Sequence, residues 1–195
     1  MKNLTTAIKV ASVFSAKNDV RYYLNGIALT IVNEKIVSVC ATDGTSLVVI
    51  GIQDTTNLRG AELVIIDNAD VATLERAIGK NEEYIKFKLN EVGDLVIDRY
   101  TIPVIDGRFP DVKRVIPESK RTVDIDNGIS VDTKLLVKLD KTQSIINKSL
   151  PKKNSSSMRM KFGSERDSIL CEFTVIDPTY EFDQYNVVIM PKRQR

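Results

Sequence analysis

Histidine and tryptophan are both absent from the 195 residues, and only two cysteines are present. Without histidine the chain lacks the commonest general base, both Ser-His-Asp and Cys-His catalysis, and most zinc chemistry. An enzyme could still run on carboxylates or lysine. The sequence, however, holds neither a glycine-rich phosphate loop nor a carboxylate motif of the DxDxDG type. A carboxylate-dependent nuclease would further need acids converging on one cleft, whereas most acidic residues here fall in turns or at strand ends. Cys40 and Cys171 each sit inside a strand-like apolar run with no CxxC spacing and no third ligand, so they are expected to be buried, reduced thiols. No cofactor or metal is implied.

Long apolar runs are missing as well. Lys, Asp or Asn interrupts every hydrophobic stretch well short of the roughly 20 residues that span a bilayer. Met1-Lys2-Asn3-Leu4 leads directly into a helical pattern and lacks the apolar core of a signal peptide. The expectation is a soluble, cytoplasmic protein without membrane contact. Net charge is small, 28 basic against 26 acidic residues for +2, so the placement of charge matters more than its sum.

What is present is a repeat. Leu4, Ala7, Ile8, Ala11 and Phe14 recur at helical spacing, predicting a helix over 4–17 with Thr5, Lys9 and Ser12 on its other faces. Strands follow at 22–32, 35–43 and 46–52, turned by Asn33-Glu34 and Asp43-Gly44, and another at 62–66. A second helix carries Val71, Leu74, Ala77 and Ile78, with Asn68 or Asp70 as its cap. Strands are expected again at 84–90, 94–100 and 101–105. After Pro110 to Pro117 comes a strand at 123–131, then a helix capped by Asp132 and running from Thr133 to about Lys148. A loop at 150–157 precedes the last strands, at 158–163, 168–176 and 185–191. One helix followed by about three antiparallel strands thus occurs three times, an α+β layering with the helices on one face of the sheets.

In the third helix Lys134, Lys138, Lys141 and Lys148 fall within roughly 80° of one another, opposite Leu135, Leu136, Leu139 and Ile146. Arg76 and Lys80 repeat the device on the second helix, and Lys2 and Lys9 on the first; Glu75 and Asp140 dilute it. Basic helix faces without clustered base-reading side chains suit sequence-independent attraction to phosphates, and the lack of interleaved aromatics argues against stacking on single strands.

Three ordered segments resemble a known family. Val20-Arg21-Tyr22-Tyr23-Leu24-Asn25-Gly26, then Ala41-Thr42-Asp43-Gly44, then Ile105-Asp106-Gly107-Arg108-Phe109-Pro110-Asp111 with Arg114-Val115-Ile116-Pro117, are similar to the middle domain of the bacterial DNA polymerase III beta sliding clamp. Tyr185-Asn186-Val187-Val188-Ile189-Met190-Pro191-Lys192-Arg193 resembles that family's last strand and tail. The resemblance divides the chain into a middle-domain-like segment, 1–117, and a shortened C-terminal-domain-like segment, 118–195. It implies a DNA-clamp fold and a non-enzymatic processivity factor. Such a factor encircles double-stranded DNA without sequence specificity and docks a DNA polymerase, and a clamp loader, through short peptide motifs. The pocket for those motifs, carried onto matching positions, comprises Leu24, Thr42, Gly44, Leu47, Pro117, Val188, Met190 and Pro191. Thr45-Ser46 stands where the family often has His-Arg, and Lys192 where it often has Met, which bears on partner preference. Keeping the family's ring of about a dozen helices with three per chain implies a tetramer; two domains of two helices would imply a trimer. The shortened pattern suggests a bacteriophage or other mobile-element source. An alternative reading is a clamp-fold interaction protein that forms no ring and captures or inhibits host clamp partners; such a protein keeps the pocket and has no need of the lysine stripe.

Overall fold

Apolar residues alternate along most strand segments, and in a computed structural model of the chain the two alternating sets face two different cores. The structure describes residues 2–55, 58, 61–79, 86–117, 129–150, 155–162, 168–175 and 185–191. Helix α1 (Lys2–Phe14) leads into β1 (Gly26–Val32), β2 (Lys35–Thr42), β3 (Ser46–Thr55) and β4 (Leu63–Asp67). Helix α2 (Val71–Ile78) leads into β5 (Phe87–Leu89), β6 (Leu95–Ile97) and β7 (Tyr100–Ile102). Helix α3 (Thr133–Ser149) leads into β8 (Ser156–Lys161), β9 (Ile169–Val175) and β10 (Tyr185–Ile189). Among the described residues, a helix followed by antiparallel strands therefore recurs three times, with four strands in the first unit and three in each of the others.

The strands of the first and third units merge. A seven-stranded sheet runs β4-β1-β2-β3-β10-β9-β8, while β5, β6 and β7 form a small sheet of their own. The join is the antiparallel ladder of β10 on β3, with Tyr185 opposite Ile50 and Ile189 opposite Ser46. All three helices pack on one side of the sheets, α1 lying across β1, β2 and β3 between α2 and α3. The side chains pointing that way, among them Ile27, Leu29, Val39, Ala41, Val48, Ile50, Ile169, Cys171, Phe173 and Val187, form the main core with Leu4, Ile8, Phe14, Leu74, Leu139 and Ile146.

The alternate side chains face the other way. Ala28, Cys40 and Ile65 meet Phe109, and Leu47, Leu170 and Val188 meet Val112, Val115 and Ile116. These small clusters are covered by the non-repetitive segment 103–117. Its approach demands glycine at 107, where a Cβ would lie 2.8 Å from the Tyr23 Cβ; the close pairing of β1 with β4 demands it at Gly26, where a Cβ would lie 2.7 Å from the Ile66 carbonyl oxygen.

Several sequence expectations shift for local reasons. Tyr22–Asn25 is a single 3₁₀ turn rather than the start of β1; the Leu24 amide bonds the Arg21 carbonyl, and the Asn25 side chain brackets Asp19. Helix α1 ends at Phe14, and Ser12 and Ser15 hydroxyls donate to carbonyls three residues back. Its burial is broader than one stripe, taking in Thr6 and Val10, because helices flank it on two sides. Asp70 holds the N-cap position of α2 as expected but makes no capping bond through its side chain; Asp67 accepts from the Ala69 amide and caps the 3₁₀ turn before it. Asp132 caps α3 as expected, accepting from the Lys134 amide at 2.9 Å. Leu136 is 43% exposed, and Thr142 takes its place on the buried face. Strand β8 begins at Ser156, inside the expected loop, since Asn147 Oδ1 accepts from both its amide and its hydroxyl. Residues 129–131 are not strand; the rest of the strand expected at 123–131 lies outside the described residues, as do residues 84 and 85.

Candidate functional site

The linker-side face of the sheet opens into an apolar cavity of about 170 Å³ where β3 and β10 lie side by side. Leu47 and Val188, directly paired across the ladder, form its floor. Leu24 comes from the 3₁₀ turn, Val112 and Val115 from the linker, and Met190 from the residue after β10. The β2–β3 turn supplies Thr42, Gly44, Thr45 and Ser46, and Arg21 and Pro110 complete the wall. Residues far apart in sequence thus converge because β10 pairs with β3 and segment 103–117 folds back over both.

The turn is held by its own side chains. Asp43 Oδ1 accepts from the Thr45 and Ser46 amides at 2.9 and 2.8 Å, and from their hydroxyls at 2.9 and 3.0 Å. Thr42 Oγ1 donates to the Ser46 carbonyl and accepts from the Gly44 amide. Gly44 has φ of 86°, a left-handed conformation that suits glycine, and a Cβ there would lie 3.2 Å from the Arg21 guanidinium. The Met190 amide donates to the Thr45 carbonyl at 3.0 Å, tying the end of β10 to the turn.

Arg21 is held by a bidentate pair with Asp19, at 3.0 and 2.9 Å, and its hydrogen bonds pull the Asp19 carboxyl down to about 2. Asp43 Oδ2 bonds Lys138 Nζ of α3 at 2.6 Å. Burial of Asp43 works to raise its pKa, but Lys138 and the turn amides outweigh it and hold the carboxyl below its ordinary value.

Of the eight positions expected to form a pocket, the structure brings six together on its lining: Leu24, Thr42, Gly44, Leu47, Val188 and Met190. Pro117 and Pro191 lie outside it. Arg21, Thr45, Ser46, Pro110, Val112 and Val115 are lining residues that sequence reasoning did not name. The linker's contribution carries no periodic signal, although Val112 and Val115 stand inside the segments quoted for the family resemblance or immediately after them.

The basic residues lie across the sheet, on the helices. Lys134, Lys141 and Lys148 are exposed and spaced seven apart, one line along α3 with about 20° of drift per step. Lys138 departs from that line. Its side chain is 21% exposed and is turned into the molecule, between Asp43, the Ser46 hydroxyl at 3.0 Å and the Phe14 ring at 5.5 Å. Lys9 is exposed and sits 3.5 Å from Glu75. Arg76 is exposed and bonds back to the Ala72 carbonyl and Thr73 hydroxyl of its own helix. Lys2 belongs to α1, and Lys80 lies outside the described residues.

Cys40 and Cys171 are free and buried, and desolvation pushes their thiols up to about 11 and about 12. No group of three His, Cys, Asp or Glu side chains among the described residues could hold a metal. No helix among them is long and apolar enough to cross a membrane.

Residues 1–111 match the family model described as DNA polymerase III beta subunit, central domain. The chain is 32% identical over 125 residues to the beta sliding clamp of Escherichia coli K12, a match covering 61% of this chain and 32% of that protein. It is 31% identical over 110 residues to the beta sliding clamp of Proteus mirabilis, covering 53% and 29% respectively. The matched region therefore spans about a third of these relatives. The fold is similar to the DNA polymerase III beta subunit of Thermotoga maritima, with a TM-score of 0.67 at 16% identity over 98% of this chain and 64% of that one. A DNA polymerase sliding clamp of Pseudomonas aeruginosa superposes with a TM-score of 0.61 at 18% identity, again over 64% of its length.

Proposed function

The chain belongs to the DNA polymerase III beta subunit family, and on that premise we propose that it is a sliding-clamp subunit which encircles duplex DNA and docks partner peptides. The family consists of non-catalytic processivity factors, and the reading gives this chain no chemistry of its own. The observation that carries it is a division of labour across one sheet. Helices with exposed Lys134, Lys141 and Lys148 occupy one face, and an apolar cavity between β3 and β10 opens on the other.

In this reading the helix face meets phosphates. The contacts are sequence-independent and weaken with salt, because binding releases counterions condensed on the DNA. Lys9 and Arg76 add to that face. The cavity takes one or two apolar side chains from a polymerase or loader segment; its aliphatic and Met lining suits several related peptides. Segments 1–117 and 118–195 act as two clamp-domain pieces stitched by the β3–β10 ladder. The three helices among the described residues favour a homotetrameric ring, with a trimer as the other closed solution, acting in the cytoplasm.

Retention on nicked circular duplex against the same duplex linearised tests the reading. Encirclement predicts complexes that survive about 0.5 M salt on the circle and are lost on linearisation, since a topological link is indifferent to screening. Lys134→Glu, Lys141→Glu and Lys148→Glu together should cut low-salt binding to the linear duplex, and loading onto the circle, at least tenfold with the melting temperature unchanged. A stable monomer by light scattering that binds partner peptide but is not retained on circles would instead establish the non-ring interaction protein.

A further inference from the structure

Lys138 is set apart from the other lysines of α3 by where its charge goes. It reaches across the edge of the main core, over Phe14, and its ammonium bonds both Asp43 Oδ2 and the Ser46 hydroxyl. Asp43 and Ser46 belong to the turn that walls the cavity, and the Thr45 carbonyl of that turn holds the Met190 amide. One lysine on the helix side of the sheet is therefore wired, through two hydrogen bonds, to the two strand ends that shape the cavity.

We infer that Lys138 is a positioning residue of the peptide pocket: its ion pair with Asp43 fixes the β2–β3 turn and, through it, Met190 at the rim. The inference rests on the peptide-docking reading of the cavity. Two physical arguments support it. The pair is largely withdrawn from water, with side chains 21% and 23% exposed, so removing the lysine leaves a half-buried carboxylate with one oxygen uncompensated. Asp43 Oδ1 already takes four donors from Thr45 and Ser46. A rotation of Asp43 in search of water would release those four bonds together, and the turn would lose its shape. The same bond explains why Lys138 is withdrawn from the exposed lysine line.

The test uses the full chain and a fluorescein-labelled hexapeptide with Leu and Phe anchors, read by anisotropy. Lys138→Leu keeps contact with Phe14 and removes the charge; peptide affinity should fall about tenfold, the scale of a half-buried pair. Lys138→Arg should restore affinity to within about threefold, and Asp140→Asn, at an exposed position of the same helix, should leave it unchanged. Asp43→Asn combined with Lys138→Leu should be no weaker than the worse single variant, the signature of one shared interaction. Met190→Glu changes an exposed rim residue and serves as the control. Wild-type affinity in Lys138→Leu while Met190→Glu loses the peptide overturns the role of Lys138 and leaves the pocket standing. Full affinity in Met190→Glu, or no binding by the unaltered chain, sinks the pocket and this inference with it.

Discussion

The two faces of the seven-stranded sheet are built to different specifications. On the helix side, large side chains such as Phe14, Phe173, Leu4, Ile8, Ile27 and Ile50 are fully buried in one continuous core. On the linker side, the sheet presents Ala28, Cys40 and Leu47 to an irregular segment, with Phe109 as the main plug and a cavity left open beside it. Close packing on one side supplies rigidity; loose packing on the other leaves room for a ligand. A ligand groove needs both, since a groove in a soft sheet would collapse and a face packed to crystal density would have no groove.

The contrast can be broken by truncation. Phe14→Ala should cost about 3–5 kcal/mol in chemical denaturation, because helices on both sides prevent α1 from collapsing into the void. Phe109→Ala should cost less, about 2–3 kcal/mol, since the linker has freedom to settle; yet it should weaken peptide binding more than Phe14→Ala does under conditions where both are folded. Equal costs for the two would erase the distinction between the faces.

A finer probe is acid. Asp43 has a folded pKa below its unfolded value, so its stabilisation is fully present above the ordinary carboxylate range and is lost as pH falls through the lowered value. Stability measured from about pH 6 down to about pH 3 should therefore drop less in Asp43→Asn than in the unaltered chain. An identical slope would mean that the Lys138 contact is not maintained in solution. The smallest effect is expected at Lys9. Its pair with Glu75 is 3.5 Å long and open to water, so Lys9→Ala should change stability by less than about 0.5 kcal/mol while still weakening low-salt binding to linear duplex.

Much of this architecture is legible in the sequence, for identifiable reasons. The turn dipeptides Asn33-Glu34 and Asp43-Gly44 separate β1, β2 and β3, although a bulge between Ile36 and Ser38 breaks the alternation of β2, and the helical spacing of Leu135, Leu139 and Ile146 locates the buried side of α3. The pocket was not legible from periodicity. Six of its lining positions came from the family resemblance, and the linker residues Val112 and Val115 were missed as lining because irregular backbone has no period to read. Lys138 shows the other limit. On a helical wheel it sits beside Lys134 and Lys141, at the border of the buried stripe, and nothing local tells whether it turns outward or inward. Its partner is 95 residues away, so pairing decides, and pairing is a property of the fold.

The ladder between β3 and β10 has a consequence for the order in which the molecule is assembled. Strand β10 sits between β3 and β9, with Val187 opposite Val48 on one side and Cys171 on the other. On a ribosome, β1, β2 and β3 are complete long before residues 185–189 emerge, and β9 also waits for them. Two apolar strand edges stay open through that interval, templates for pairing with the wrong chain. Closing them requires a contact of long sequence separation, which makes folding slow by topology and not by any weakness of the finished core. The strand that completes the cavity is thus also the last piece of the sheet, so a chain that can present the pocket is one whose main sheet has already closed.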